Sequence, residues 1–294
     1  MTDMQDAAII AGCMKWGAWG AGFSAREYDR MVGECLDAGV RTFDHADIYG
    51  GYTTEAEFGS VLRDNPSLRE KMRIITKCGI CLVEAKRPEH AVKHYDTRAS
   101  HILASTERSL RNLHTDHIDL LLIHRPDPLM DPAEVAEALE RLMREGKVLS
   151  AGISNFSATQ TSLLSRWIPL STHQLEFSLA HTDPMFNGVL DICRYHGMHV
   201  QAWSPLGGLP SLDMNVTDSN GNCLRMASAL AAGYDVDLDQ ILLAWILQHP
   251  MRIRPVIGTT RPERVRAAVA AERIQLSRQE WFQLLEASRG HEVP

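Results

Sequence analysis

Eight short, mainly apolar segments alternate with amphipathic ones along the chain. Near-continuous apolar runs of this length are typical of parallel strands that are buried on both faces. The predicted strands cover residues 9–12, 40–44, 72–77, 116–123, 148–154, 172–177, 199–203 and 254–257. Several of these runs end in polar residues, which makes the strand ends the natural place to look for chemistry.

Between the strands, apolar residues recur at helical spacing. After Asp131 and Pro132, positions 135, 138, 139 and 142 are apolar and share one helix face. Ser24 and Glu27 form a capping box that begins an earlier helix. Further helices are predicted over residues 55–63, 102–113, 157–165 and 186–195. Residues 207–222 are rich in Gly, Asn and Asp and are predicted to form a long loop.

The order of these elements favours the α/β class and a (β/α)8 barrel. Barrels of this kind commonly contain about 250 residues or more in one domain. No Gly-x-Gly-x-x-Gly follows the first strand, which weighs against an open doubly wound sheet. We therefore expect a single TIM-barrel domain over residues 1–294.

Composition narrows the classes of partner and compartment. A formal net charge of −7 argues against nucleic-acid binding as the main function. No segment approaches the roughly 20 apolar residues of a membrane span, and residues 1–12 lack the basic region of a signal peptide. We expect a cytoplasmic protein with reduced cysteines that acts on a small molecule, without nucleic acid or membrane.

Four polar residues near predicted strand ends are candidates for one proton-transfer site: Asp44, Tyr49, Lys77 and His124. A tyrosine hydroxyl has a pKa of about 10 and is a reluctant acid at neutral pH. A neighbouring ammonium such as Lys77 stabilises the phenolate and lowers that pKa, while the Asp44 carboxylate fixes the lysine. His124 would share the proton or polarise a carbonyl oxygen. Such a group suits protonation of an alkoxide as hydride arrives.

The same residues resemble a known motif. Residues 44–50, Asp-His-Ala-Asp-Ile-Tyr-Gly, followed by Glu55 and Gly59, are similar to the Asp-x-Ala-x-x-Tyr-Gly…Glu-x-x-x-Gly signature of the aldo-keto reductase family. The resemblance spans residues 9 to about 270 and includes several motifs in order. It implies a barrel that reduces an aldehyde or ketone to an alcohol with hydride from NADPH. Asp44, Tyr49, Lys77 and His124 would be catalytic, with Tyr49 as the general acid.

A nicotinamide site is also implied by the resemblance. Residues 152–156, Gly-Ile-Ser-Asn-Phe, and residues 174–176, Gln-Leu-Glu, match segments that bind the nicotinamide carboxamide in the family. Residues 203–207, Trp-Ser-Pro-Leu-Gly, fill the segment where an aromatic ring stacks on nicotinamide and the next residues hold the pyrophosphate. The implied cofactor-binding residues are Ser154, Asn155, Gln174, Trp203, Ser204 and Leu206.

The phosphate end of the cofactor is expected at the last strand–helix turn. The residues assigned to it are Gly258, Thr259, Thr260 and Arg264. Arg264 matches the family's phosphate arginine, and two hydroxyls at a helix N-terminus form an anion site. Gly258 stands where the family often has a lysine, Ala268 stands where it has an adenine-contacting asparagine, and Arg261 could replace the missing charge. We expect NADPH to be preferred, with NADH as the alternative cofactor.

Two alternative functions would use some of the same residues. Some barrels of the resembled family are cofactor-sensing binding subunits with little turnover, and this is the alternative function. A metal-dependent hydrolase using His45, Asp47 and His124 is disfavoured, because His-x-His or paired carboxylate ligands are missing. His45 and Asp47 are expected to be structural or rim residues. Trp16 and Trp19 are expected either to line the substrate pocket or to pack in the core.

A Cys-x-x-Cys…His-x-x-x-His pattern is formed by Cys78, Cys81, His90 and His94 and could chelate zinc. The interval of eight residues between Cys81 and His90 is shorter than the usual finger spacing, and Cys78 directly follows Lys77 in a strand. We therefore expect no metal site, and a redox role of the two cysteines is left open.

The substrate is not indicated by the sequence. Specificity is expected in the loops at residues 16–23, 125–130 and 207–222, where no charge cluster demands a carboxylate or phosphate ligand. Aldehydes, ketones, quinones and sugars are all compatible with this pattern. The sequence does not indicate an oligomeric state.

Overall fold

The central feature of the computed structural model, which describes residues 6–213 and 216–293, is a closed barrel of eight parallel strands. Two further short strands pair antiparallel outside it. In chain order the strands are β1 (Ile10–Gly12), β2 (Thr42–Asp44), β3 (Arg73–Cys78), β4 (Ile80–Cys81), β5 (His94–Tyr95), β6 (Leu120–Ile123), β7 (Ala151–Ser154), β8 (Thr172–Glu176), β9 (His199–Trp203) and β10 (Arg254–Ile257). The barrel order is β1-β10-β9-β8-β7-β6-β3-β2, and β2 pairs with β1 to close it.

Helices follow the barrel strands and surround them. They are α1 (Ala25–Asp37), α2 (Tyr49–Tyr52), α3 (Thr54–Asp64), α4 (Ala99–Asn112), α5 (Pro132–Arg144), α6 (Ala158–Ser165), α7 (Val189–Tyr195), α8 (Ser219–Tyr234), α9 (Leu238–Leu247), α10 (Pro262–Ala270) and α11 (Arg278–Arg289). The capping box expected at Ser24 and Glu27 is present at the start of α1. Asp131 caps α5 by accepting from the backbone N–H of Ala133. These local interactions satisfy backbone groups that the first helical turn would otherwise leave unpaired.

The predicted fold class is confirmed, since each of the eight predicted strands contains or overlaps one barrel strand. The prediction of one long loop over residues 207–222 is wrong at its C-terminal end, because α8 begins at Ser219 after an N-cap at Asp218. Met214 and Asn215, inside that segment, lie outside the described residues. The β4–β5 hairpin did not emerge from the sequence pattern, because two-residue strands carry too little periodicity.

Barrel closure separates the apolar residues into an inner and an outer layer. Ile10, Ile75, Leu120, Leu122 and Val256 form a small buried cluster inside the barrel. The much larger cluster lies between the strands and the surrounding helices. Adjacent strand residues point to opposite faces, so polar residues that follow the inner set are directed to the barrel mouth.

None of the described helices is long and apolar enough to cross a membrane.

Gly59 provides a test of helix packing around the barrel. A Cβ at this position in α3 would collide with the carbonyl oxygen of Asn112 at the end of α4. We expect Gly59→Ala to lower the free energy of unfolding by about 1–3 kcal/mol, because the two helices must move apart. Gly33→Ala in α1 is the matched control, since a Cβ there meets nothing within 4 Å. It should stabilise the protein by up to about 1 kcal/mol.

Urea denaturation of the two variants measures both effects. Equal stability of Gly59→Ala and Gly33→Ala would contradict the described packing of α3 against α4.

Candidate active site

The Lys77 side chain is buried at the end of β3 and is surrounded by oxygen atoms. Its Nζ donates to Asp44 Oδ2 at 2.7 Å, to the carbonyl oxygen of His45 at 2.8 Å and to the Tyr49 hydroxyl at 3.0 Å. An ammonium has three N–H donors, so each has an acceptor. The pairing of β2 with β3 produces this arrangement because it brings the two strand ends together.

Tyr49 is held over Lys77 by a tight turn. Gly50 and Gly51 follow it with φ of 63° and 65°, a left-handed conformation that glycine adopts without strain. The Tyr49 ring centroid lies 4.9 Å from Lys77 Nζ and 6.2 Å from the His124 ring. The structure therefore brings Asp44, Tyr49, Lys77 and His124 together. Because the tyrosine oxygen accepts from Lys77, its own hydrogen is left for donation into the pocket.

The pKa of Tyr49 shifts in the direction opposite to the one expected from the sequence. Burial raises the pKa of Tyr49 above its usual value, and the opposing effect of the Lys77 charge is smaller. The expected lowering of the tyrosine pKa is therefore wrong for this site, because desolvating a phenolate outweighs the attraction of one ammonium. The site thus holds Tyr49 as a protonated donor.

Lys77 and His124 differ in charge: the lysine is protonated and positive, and the histidine is neutral. Burial by itself would lower the pKa of Lys77, but Asp44 and Tyr49 together raise it above its usual value, so the lysine is charged. Burial, followed by the charge of Lys77, lowers the pKa of His124 well below its usual value. His124 is therefore a neutral imidazole that can donate or accept one hydrogen bond at the pocket.

Gln174 connects the proton-transfer group to the opposite side of the barrel. Its Nε2 donates to Asp44 Oδ1 at 2.8 Å and to Gln201 Oε1 at 3.0 Å. Asp44 thus accepts from Lys77 on one oxygen and from Gln174 on the other. The role of Gln174 as a carboxamide contact stays a prediction, and the structure adds that its amide nitrogen positions Asp44.

Ser154, Asn155 and Trp203 form one hydrogen-bonded set beside the barrel mouth. Asn155 Nδ2 donates to Ser154 Oγ at 3.0 Å, and Asn155 Oδ1 accepts from Trp203 Nε1 at 3.1 Å. Asn155 has a φ of 57°, which asparagine tolerates better than most residues. Ser204 and Leu206 follow Trp203 directly; Ser204 is exposed and Leu206 packs on the core.

The Arg125 side chain also lies in the site, although no motif in the sequence assigns it a role. Its Nη1 donates to the His124 carbonyl oxygen at 2.7 Å and to Ser154 Oγ at 3.3 Å. The guanidinium carbon lies 5.7 Å from the Trp203 ring centroid. Burial lowers the pKa of Arg125 from its very high usual value, and the group stays charged at neutral pH. The signal for it was its position directly after His124, at the end of a barrel strand.

A cationic cleft lies at the last strand–helix turn. It has a volume of 340 Å³, and its lining residues are Lys15, Gly20, Ala21, Gly258, Thr259, Thr260, Arg261 and Arg264. The turn is tied to the first loop because Trp16 Nε1 donates to the Thr259 carbonyl oxygen at 3.0 Å. The structure therefore brings the four predicted phosphate residues together and adds Lys15. That lysine lies three residues after the end of β1, so a search of the loops after the strands could have found it.

The two tryptophans of the first loop have different environments. Trp16 is buried among Phe23, Tyr28, Phe43 and Phe58, so it is a core residue and does not line the pocket. Trp19 is 36% exposed, and its ring centroid lies 6.2 Å from that of Tyr49. Trp19 is therefore the pocket aromatic of the pair.

His45 and Asp47 are both buried and do not lie at the rim. The His45 ring packs on Phe58 at 4.4 Å, and burial lowers its pKa to about 3. Asp47 accepts from Ser105 Oγ at 2.6 Å, and burial raises its pKa to about 7. Within the described ranges, His45, Asp47 and His124 do not converge as metal ligands. The geometry therefore gives no support to a metal-dependent hydrolase.

Comparisons with known proteins agree with this geometry. A model of the Aldo/keto reductase family matches residues 8–289. The chain is 41% identical to the uncharacterized oxidoreductase YcsN of Bacillus subtilis over 99% of this chain and 97% of that protein. It is 43% identical to a 6-dehydroglucose reductase of Agrobacterium fabrum over 95% and 94% of the two chains. The fold also matches a crystal structure of an aldo/keto reductase from Klebsiella pneumoniae in complex with NADP and acetate. The TM-score is 0.78 at 25% identity, and the match covers 98% of this chain and 92% of that chain.

The buried Asp44–Lys77 pair generates a stability prediction. Asp44→Ala leaves the lysine charge buried without its carboxylate, so the free energy of unfolding should fall by about 3–5 kcal/mol. The double variant Asp44→Ala/Lys77→Met removes both charges and should recover much of that loss. Urea denaturation of the two variants measures the difference, and equal stability would contradict the described ion pair.

Proposed function

The chain belongs to the aldo/keto reductase family, and on that premise we propose that it reduces an aldehyde or ketone to the alcohol with NADPH, with Tyr49 as the proton donor. The observation that carries the proposal is the Tyr49 hydroxyl, which accepts from the Lys77 ammonium at 3.0 Å and has a neutral imidazole beside it. This arrangement favours donation to a carbonyl oxygen that becomes basic during reduction.

The residues that surround the proposed cofactor site fit a nicotinamide dinucleotide at both of its ends. Ser154 and Asn155 offer a hydroxyl and an amide for the carboxamide, and Trp203 offers an aromatic face. Lys15, Arg261 and Arg264 place positive charge around the cleft at the start of α10, which suits a phosphate. Bound NADPH would supply the hydride.

The protein's own groups would carry the proton. The substrate oxygen would accept hydrogen bonds from the Tyr49 hydroxyl and from His124, which orient the carbonyl. As negative charge develops on that oxygen, Tyr49 gives up its proton, and the Lys77 ammonium stabilises the phenolate that remains. Asp44 and Gln174 hold the lysine in place. Tyr49 then regains a proton from solvent.

Preference for NADPH over NADH is part of the proposal. Gly258 and Ala268 lack the side chains that the family often uses at the 2′-phosphate and the adenine. Lys15 and Arg264 line the same cleft and supply charge there. Arg261 lies 3.5 Å from Glu263 in an exposed ion pair, so part of its charge is already compensated. We therefore assign the main phosphate contact to Arg264.

Tyr49→Phe tests the proton donor. We expect loss of carbonyl reduction with NADPH affinity changed by no more than a few fold, because the variant keeps the ring and removes only the hydroxyl. The assay is NADPH oxidation against small aldehydes, ketoacids and sugars, and the relatives named 6-dehydroglucose reductase make a sugar aldehyde the first substrate to try. Fluorescence titration measures cofactor binding in parallel.

Tyr28→Phe is the control, since it removes another buried hydroxyl, one that donates to Glu57 and not to the proton-transfer group. It should keep activity. Because the pKa of Tyr49 is raised, the wild-type reduction rate should stay level through neutral pH and decline only above about pH 10. Full activity of Tyr49→Phe would refute the assignment. Tight NADPH binding without turnover on any substrate would favour the cofactor-sensing alternative.

Arg264→Ala tests the choice of cofactor. Loss of a charged hydrogen bond to phosphate should weaken NADPH binding by about 10-fold or more, with little change for NADH. Arg266→Ala, on the same helix but paired with Glu34, is the matched control and should leave both affinities unchanged. An equal loss for NADPH and NADH in Arg264→Ala would remove the phosphate assignment.

A further inference from the structure

Three metal-ligating side chains converge outside the proposed active site. A ligand atom from each of Cys81, His90 and His94 lies within 4.8 Å of the other two. Cys81 and His94 are direct partners in the β4–β5 hairpin. Residues in such a cross-strand pair have Cβ atoms about 5 Å apart. His90 lies in the loop that joins the two strands.

Cys78 is not part of this cluster, although the sequence pattern groups it with Cys81. Cys78 ends β3 and is buried in the outer core cluster, on the face opposite to Lys77. The sequence leads us to expect no metal site because the four-residue Cys-x-x-Cys…His-x-x-x-His pattern does not have zinc-finger spacing. The structure instead groups three of the four residues, and finger spacing is not a criterion for a three-ligand site.

In both histidines a backbone carbonyl oxygen lies within hydrogen-bond distance of Nδ1. His90 Nδ1 lies 2.9 Å from the Leu82 carbonyl oxygen, and His94 Nδ1 lies 2.8 Å from the Val92 carbonyl oxygen. A carbonyl oxygen can only accept, so Nδ1 carries the hydrogen and Nε2 keeps its lone pair. A backbone carbonyl on the second ring nitrogen is the usual outer contact of a metal-bound histidine.

Cys81 supplies the third side chain of the cluster. It is a free thiol, and its side chain is buried. Burial raises its pKa to about 11, so by itself the thiol is unreactive at neutral pH. A bound metal ion would displace the proton to solvent and stabilise the thiolate.

We propose that Cys81, His90 and His94 bind a Zn²⁺ ion, with a water molecule as the fourth ligand. Thiolate and imidazole together favour zinc over magnesium or calcium, which prefer oxygen. Zinc bonds of about 2.0–2.3 Å require donors roughly 3.5 Å apart, so the side chains must close by about 1 Å. His90 and His94 lie on a loop and an exposed strand, where such adjustment is available.

The proposed ion would brace one wall of the active site. Ile80 of the same hairpin packs with Tyr49 and Ala46, and the backbone N–H of Leu82 donates to the Tyr52 hydroxyl at 2.8 Å. A metal that joins β4, the loop and β5 would therefore restrict the segment that contacts the proton donor. Its assigned role is structural, and its binding does not depend on the proposed reductase activity.

Metal binding to the untagged full chain tests the proposal. After bound metal is removed with a chelator and the protein is desalted, the wild type should take up about one Zn²⁺ per chain, and its melting temperature should rise as zinc is added. Co²⁺ substituted for zinc should give the near-ultraviolet charge-transfer absorption of a cobalt–thiolate bond. Cys81→Ala should abolish that absorption, and His94→Gln should weaken zinc binding by more than about 10-fold.

Cys78→Ala and His196→Gln are the matched controls, one for a buried cysteine and one for an exposed histidine. Both should bind zinc as the wild type does. Because His94 is exposed, His94→Gln tests the site even if Cys81→Ala does not fold. Absence of stoichiometric zinc in the wild type would overturn the proposal, as would zinc binding that is unchanged in Cys81→Ala and His94→Gln.

Discussion

The site depends on the hydrogen bonds made by the buried Lys77 ammonium. A charged lysine inside a barrel is costly to desolvate, and it is stable here because its three acceptors lie within 3.0 Å. Those acceptors come from the end of β2, the turn after it and the start of α2. The closed barrel is required for this geometry, because Gln174 reaches the other oxygen of Asp44 from β8. The geometry of the proton-transfer group therefore depends on closure of the barrel.

Further polar residues at the barrel mouth form a continuous hydrogen-bonded set beside this group. Arg125 links His124 to Ser154, and Asn155 links Ser154 to Trp203. The result is a hydrogen-bonded polar rim whose members lie in or directly after β6, β7 and β9. Such preorganisation lets hydrogen-bond donors act on a developing oxyanion without reorganising first. Arg125 also supplies a positive charge beside the pocket. The sequence of its loop shows no cluster of charge and does not by itself predict an anion-binding site there.

The β4–β5 hairpin gives the barrel mouth a wall that is independent of the proposed chemistry. It contacts Tyr49 and Tyr52 through Ile80 and Leu82 and carries the proposed zinc ligands on its outer side. A short hairpin of this size is marginally stable by itself. Packing on α2 stabilises it, and the proposed zinc ion would add a cross-link between the strands and their connecting loop.

Local periodicity determined much of this protein. The alternation of strands and helices, the eight barrel strands and the candidate residues at their ends all follow from the spacing of apolar and polar positions, which is a property of neighbours in sequence. The roles expected for Tyr49, Lys77, Ser154 and Arg264 are implied by the resemblance of their motifs to those of the family, which periodicity alone does not provide. No local pattern could indicate the Gln174–Asp44 contact, whose partners are 130 positions apart.

Tertiary structure decided the properties that depend on burial and on long-range packing. The direction of the Tyr49 pKa shift is set by desolvation, which a sequence does not reveal. Lys15 reaches the cationic cleft at the start of α10 only because the first and last barrel strands are neighbours. Cys78 and Cys81, three residues apart, are separated because β3 directs Cys78 into the outer core while the hairpin turns Cys81 toward His94. Barrel closure and strand pairing bring together residues that are distant in sequence and separate residues that are close in sequence. The hydrophobic pattern predicts the strands, but it does not specify which individual residues come into contact.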